Sequence, residues 1–186
     1  LNTTIGPPGF RAAMPYEGSQ RVDTVLLDQI RFEPNLERLF KTLRLDRASP
    51  YAGRVQRLVE EAQSIARPKA LYRVAYIDEK GDDFVVVDGI RFTSRVLRVN
   101  LDQAQRIFPF IATCGQEIEA WSKGIEDVLE SFWADAIKEA ALHAARSALD
   151  ADLRERFRPG PTSTMNPGSL PNWPLQQQRP LFQLLG

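Results

Sequence analysis

A single cysteine among 186 residues cannot close an internal disulfide, and with a single histidine it cannot assemble an ordinary zinc site. No apolar run approaches the ~18 residues that a membrane-spanning helix needs. Surplus charge is missing too: 24 Lys and Arg stand against 24 Asp and Glu. No long-range field therefore draws the chain to nucleic acid or to an anionic membrane. The expectation is no metal, no nucleic-acid partner and no membrane partner. One thiol and the lack of a secretory leader fit a reducing, cytoplasmic setting. The fingerprints GxGxxG, GxxxxGK[ST], HExxH and GxSxG are all absent, which removes the simplest nucleotide, zinc-protease and hydrolase readings.

What is present is ordinary globular material, 43% hydrophobic and 26% charged. Gly6, Pro7, Pro8, Gly9, Pro15 and Gly18 make residues 1–20 an irregular arm. The β-branched run Val22–Leu27 reads as a strand. Pro34 then opens a helix carrying Leu36, Leu39, Phe40 and Leu43 on one face. A second helix, Tyr51–Arg67, repeats that spacing and stops at Pro68. Leu71–Ile77, Phe84–Val87 and Ile90–Phe92 form a three-stranded meander, with Gly81 free to take positive φ in its first turn. Asp88-Gly89 between apolar runs is a strong hairpin signal in its second.

Ser94–Gln105 suggests a short helix, and Ile107–Thr113 a buried strand in which Pro109 wants an edge or a bulge. Gly115 starts a helical stretch. A long helix follows over Val128–Phe157, with Phe132, Trp133, Ala136, Ile137, Ala140, Ala141 and Ala144 on its buried side. Its alanine density suggests close packing on a sheet. Arg158-Pro159-Gly160-Pro161 ends it, and the apolar anchors of the tail imply an ordered loop and a short docked helix. The sum from residue 21 to 186 is one α+β domain.

Three places carry residues suited to chemistry. Cys114 stands at a strand end before a helix, where backbone N–H groups lower a thiol pKa; the plainer reading is a small buried residue at a junction. Glu139 lies in the alanine-rich helix, where a carboxylate needs a partner or solvent, and His143 on the same helix reads as a packed or half-exposed side chain. The loop 162–175, TSTMNPGSLPNWPL, is the most specific of the three. Pro167 fixes φ, Gly168 lets the backbone approach a ligand, Thr164, Asn166 and Ser169 offer hydrogen bonds, and Trp173 offers a flat apolar face. It reads either as a ligand loop or as a surface turn pinned by Trp173.

The run PGSLPNWPLQQQRPLFQLLG at 167–186, the long helix before it, IFPFIATCGQEIE at 107–119 and the helix–meander order of 51–92 resemble the activation domain of vitamin B12-dependent methionine synthase, and more closely the small stand-alone proteins that share it. The resemblance implies an α+β fold with a bent antiparallel sheet flanked by helices. It further implies S-adenosylmethionine as a ligand and docking over cobalamin held by another module. Reductive reactivation of that cofactor would then serve methionine biosynthesis, with electrons from a flavodoxin- or ferredoxin-like reductant. The family's donor signature, Arg-x-x-x-Gly-Tyr with Pro before the Gly, falls on Thr164-Met165-Asn166-Pro167-Gly168-Ser169. Pro167 and Gly168 match; Thr164 and Ser169 replace Arg and Tyr. An Arg fork suits a carboxylate, and its loss typically costs ~1.5–3 kcal/mol.

The Asp-x-His-x-x-Gly pattern with which many corrinoid-binding domains ligate cobalt is absent, so cobalamin would come only through a partner, a corrinoid-binding protein or a cobalamin-dependent methyltransferase. Three readings stay open: an accessory protein for corrinoid-dependent methyl transfer, a non-catalytic module of the same fold whose loop binds another small ligand or a protein, and an enzyme built on Cys114. At most the chain is one part of a methyltransferase system.

Overall fold

The computed structural model describes Asn2–Thr4, as backbone, and residues 24–186. The rest of the 1–20 arm and the start of the strand expected at Val22 lie outside the described residues. Among the described residues the strands are β1 (Asn2–Thr4), β2 (Val25–Leu27), β3 (Lys69–Tyr72), β4 (Ala75–Lys80), β5 (Phe84–Val87), β6 (Ile90–Thr93), β7 (Arg106–Phe108), β8 (Phe110–Thr113) and β9 (Thr162–Thr164). The helices are α1 (Leu36–Thr42), α2 (Ala52–Ile65), α3 (Arg95–Asn100), α4 (Gln116–Lys123), α5 (Val128–Phe157) and α6 (Gln178–Leu185). The expected α+β class is what these elements form. Chain contacts group them into two compact units, one with β1, Tyr72–Phe110 and Leu153–Gly186, the other from Leu26–Leu71 and Ile111–Asp152.

The first unit is built on an antiparallel sheet in the order β6-β5-β4-β7-β1-β9. Its meander turns at Asp88 and Gly89, whose φ values of 44° and 77° are both left-handed, with Val87 opposite Ile90. That is a type I′ turn, whose twist matches the strands it joins. Val85 and Val87 alternate inward with Phe92, and α3, capped by the Ser94 side chain on the Leu97 N–H, buries Leu97. Gly81 does not take positive φ. The space above it is taken differently: a Cβ would meet the Phe84 ring, which would have to swing aside. The tail helix α6 docks as expected, burying Leu181, Leu184 and Leu185. Arg73 donates to the Leu184 carbonyl and pairs with Asp88, at 2.8 and 2.7 Å.

Two strands read as single from sequence are each split. Leu71–Ile77 breaks at Arg73-Val74 into β3 and β4, and Ile107–Thr113 breaks at Pro109 into β7 and β8. In both cases the halves belong to different sheets, because β2-β3-β8 form a separate three-stranded sheet. Pro109 has no N–H for a ladder. Its carbonyl instead accepts from Arg73 N at 3.2 Å, joining the two break points.

The second unit has a helical core. Leu39 and Phe40 of α1, Val55, Leu58, Val59 and Ala62 of α2, Ile118 of α4, and Trp133, Ile137 and Ala141 of α5 form one buried cluster with Phe32, Leu43 and Ala66. That face of α5 therefore packs on helices, not on the expected sheet. Phe132 is 60% exposed, contrary to the expected stripe. Burial follows Trp133, Ile137, Ala141, Ala145, Leu149 and Leu153 instead. Steps of four on a helix of 3.6 residues per turn drift by roughly 40° each, so the buried stripe winds around α5 and leaves Phe132 outside it. Pro34 sits one residue before the cap rather than inside α1. Asn35 is the cap, its side chain accepting from Arg38 N at 2.9 Å.

The start of α5 is held by Asp127, whose Oδ1 accepts from Leu129 N at 2.9 Å and Glu130 N at 3.0 Å, while Oδ2 accepts from Arg54 Nη2 at 2.9 Å. The Glu130 backbone N–H foremost, then the Arg54 guanidinium, hold the Asp127 carboxyl below the usual carboxylate range. A depressed folded-state pKa contributes stability above the unfolded value of ~3.9, and that share is lost as pH falls through the folded value. Asp127→Asn keeps a cap acceptor but removes the charge. Wild type should melt higher than this variant at neutral pH, and the two melting curves should converge below about pH 4. A gap unchanged across that window would mean the charge contributes nothing.

Candidate functional site

Loop 162–175 belongs to the first unit. β9 leads into Met165, buried, whose sulfur accepts from Asn100 Nδ2 at 3.2 Å. The chain then makes two turns in succession. In Asn166-Pro167-Gly168-Ser169, Ser169 N donates to Asn166 O at 3.0 Å and Gly168 has φ 88°. In Leu170-Pro171-Asn172-Trp173, Trp173 N donates to Leu170 O at 3.2 Å and Asn172 has φ 63°. Both have the type II signature, Pro at the second position and positive φ at the third. They are tied together by Gly168 N donating to Trp173 O at 2.7 Å. The loop is thus shaped by its own backbone.

Thr164, at the end of β9, is exposed, as are Asn166, Gly168 and Ser169 on the double turn, while Pro167 is buried. The Ser169 hydroxyl is engaged twice with Asn166, donating to its carbonyl at 2.7 Å and accepting from its N–H at 3.2 Å. Trp173 is fully buried, so its ring is part of the interior and not the flat ligand-facing surface expected from sequence. Its Nε1 has no hydrogen-bond partner among the described residues. Residues 162–175 include no Lys, Arg, His, Asp or Glu. The N–H groups of Asn166, Gly168, Ser169 and Trp173 and the Ser169 hydroxyl are thus engaged within the loop, which offers neither a cationic clamp nor a general acid or base.

Cys114 and Glu139 belong to the second unit, not to the loop's. Cys114 is half-buried, and burial pushes its thiol pKa up, with the Glu119 carboxylate adding to the effect. This reverses the expectation of a lowered value at the α4 N-terminus. Gly115 explains why the junction is built as it is: at φ 99° it caps α4, and a Cβ there would lie 2.8 Å from the Arg67 carbonyl oxygen. Glu139 is exposed on the rim of a groove of about 230 Å³ between α5 and the segment leading into α1. His143 and Ser147 follow it at four-residue steps along the same rim, with Arg38 on the other side. Sequence reading missed this groove because its walls are about a hundred residues apart. The only linear trace of it was the spacing of Glu139, His143 and Ser147.

No protein-family model and no curated protein matches the chain. Among solved structures, the crystal structure of the MetH reactivation domain bound to AdoHcy is similar, with 15% sequence identity and a TM-score of 0.48 over 74% of this chain and 57% of that one. The chain spans a little over half the length of that structure.

Among the described residues no group of three or more His, Cys, Asp or Glu is placed to hold a metal ion, and no helix is long and apolar enough to cross a membrane. The raised thiol pKa has a direct test. At pH 7 Cys114 should react with a disulfide reagent more slowly than a free cysteine derivative, and unfolding in urea should remove the difference. Faster reaction in the folded chain would show a stabilised thiolate and restore a redox reading.

Proposed function

We propose that the chain is an accessory module for corrinoid-dependent methyl transfer. It docks on a separate corrinoid-binding protein or cobalamin-dependent methyltransferase and supports reductive reactivation of the cofactor there. Loop 162–175 holds a ligand of the S-adenosylmethionine type. Cobalamin, on the partner, supplies the methyl-carrying and redox chemistry, with electrons from a flavodoxin- or ferredoxin-like reductant.

The observation that supports this reading is the Asn166–Ser169 turn. Pro167 and Gly168 stand at the Pro and Gly of the donor signature the sequence resembles, and Gly168 takes a left-handed φ of 88°, a backbone shape that glycine supplies without strain. The fit is partial. Thr164 supplies a hydroxyl where the signature has a guanidinium, so the ligand's carboxylate lacks its charge-assisted contact. Such a loss weakens binding by roughly ten- to a hundred-and-fifty-fold.

A second reading has its own observation. With the Ser169 hydroxyl engaged by Asn166 and no charge in the loop, the double turn equally suits a non-catalytic module that binds a different small ligand or a protein.

Calorimetric titration with S-adenosylmethionine, and with S-adenosylhomocysteine as a control, separates the two. The first reading expects saturable heat that weakens in Gly168→Val, where the side chain must adopt a left-handed backbone at a cost of roughly 1–2 kcal/mol. No heat at millimolar ligand would leave the second. The docking half is tested on its own with a purified corrinoid protein: affinity should be higher for its cob(II)alamin state than for its methylated state. Equal affinity for every cobalt state would sink the reactivation role.

A further inference from the structure

The groove on the second unit has a construction that the loop reading does not use. Its floor is Ala136, Ala140 and Ala144, successive steps along α5, each partly buried against the helical core. Larger side chains at these positions would fill it. Leu39 and Phe32 close the apolar side. Around this floor stand Arg38 on one wall and Glu139 and His143 on the other. The volume of about 230 Å³ lies below the ~300–1,000 Å³ of pockets for drug-sized ligands, so the occupant is compact.

Some charges on the same unit are held in pairs. Arg54 is paired with Asp127 and Glu130, and Lys138, one residue before Glu139, is held by both Glu119 and Asp135. Arg38, Glu33, Glu139 and His143 have no side-chain partner among the described residues, and Arg38 lines the groove together with two carboxylates, Glu33 beside it in sequence and Glu139 on α5. A guanidinium offers a fork for a carboxylate, and a carboxylate accepts from an ammonium. We propose that this groove binds a small zwitterion of the α-amino acid class. The ligand's carboxylate lies on Arg38, its ammonium on Glu139, and a short apolar side chain on the alanine floor. His143 closes the rim as a further hydrogen-bonding group. The site is independent of loop 162–175 and of the function proposed for it.

His143 is the one histidine in the chain, so its ring protons report on the groove by NMR without ambiguity. The full chain is titrated with L-2-aminobutyrate and with its two halves, butyrate and propylamine. The proposal expects a saturable His143 shift with the amino acid, at concentrations about tenfold or more below those either half requires. Arg38→Met and Glu139→Gln alter exposed side chains, so they should fold normally and each weaken the response by about tenfold or more. Ala140→Leu should abolish it by filling the floor. No saturable movement below ~50 mM would overturn the proposal. So would equal responses to all three probes, or an unchanged response in Arg38→Met and Glu139→Gln. Butyrate binding as well as the amino acid would reduce the site to an anion contact, which also overturns it.

Discussion

The burial of one face of α5 against α1, α2 and α4 governs the second unit, and small side chains share that face with large ones. Ala62 on α2 and Ala141 on α5 have no exposed surface, and Trp133 and Ile137 are seated in the same cluster. Burying a side chain as large as Ile137 contributes ~1.5–3 kcal/mol, but only where neighbours reach it without voids. The same economy of side-chain volume has a second result one step around α5. There Ala136, Ala140 and Ala144 face a segment that does not fill the space against them, and a groove remains. Core and groove thus follow from one compositional choice.

Charge is handled in a correspondingly local way. A chain with no net charge still needs its cations and anions placed, and around α5 they are placed as clamps. Arg54 and Arg57 converge on Glu130, at 2.9 and 2.7 Å. Exposed pairs of this kind are worth little singly. Their value here lies in fixing where the long helix begins. The double turn of 166–173 is held by backbone hydrogen bonds and the Ser169 hydroxyl and needs no charge.

Much of this was legible in the sequence. Asp88-Gly89 specified its turn because both positions tolerate left-handed backbone, and the limits of α5 were marked by Val128 and by the Arg158-Pro159 stop, with Arg158 at φ 41°. Asn-Pro-Gly-Ser marked one of two turns, and Leu-Pro-Asn-Trp had the same grammar unnoticed. Other features were hidden for physical reasons. A strand's local pattern does not reveal which sheet it will join, so the breaks at Arg73 and Pro109 were invisible. A buried face assumed straight put Phe132 inside, whereas the actual stripe winds. Trp173 has the same composition whether it stacks on a ligand or fills an interior. Cys114 had two readings, a thiol activated at a helix terminus and a small buried junction residue, and burial, a tertiary property, decided for the second.

The interleaving of the two units also sets an order on their completion as the chain leaves the ribosome. The second unit has all its segments once Asp152 has emerged. The first cannot close until its last stretch, Leu153–Gly186, is available. Until then β1 lacks its neighbour β9, and the meander of β4, β5 and β6 lacks the α6 helix that Arg73 will tether. The earlier-synthesised strands therefore wait longest, with their edges and apolar faces open to other chains during translation. Late closure makes the nascent first unit, rather than the finished protein, the point at which this sequence is most exposed to misassembly.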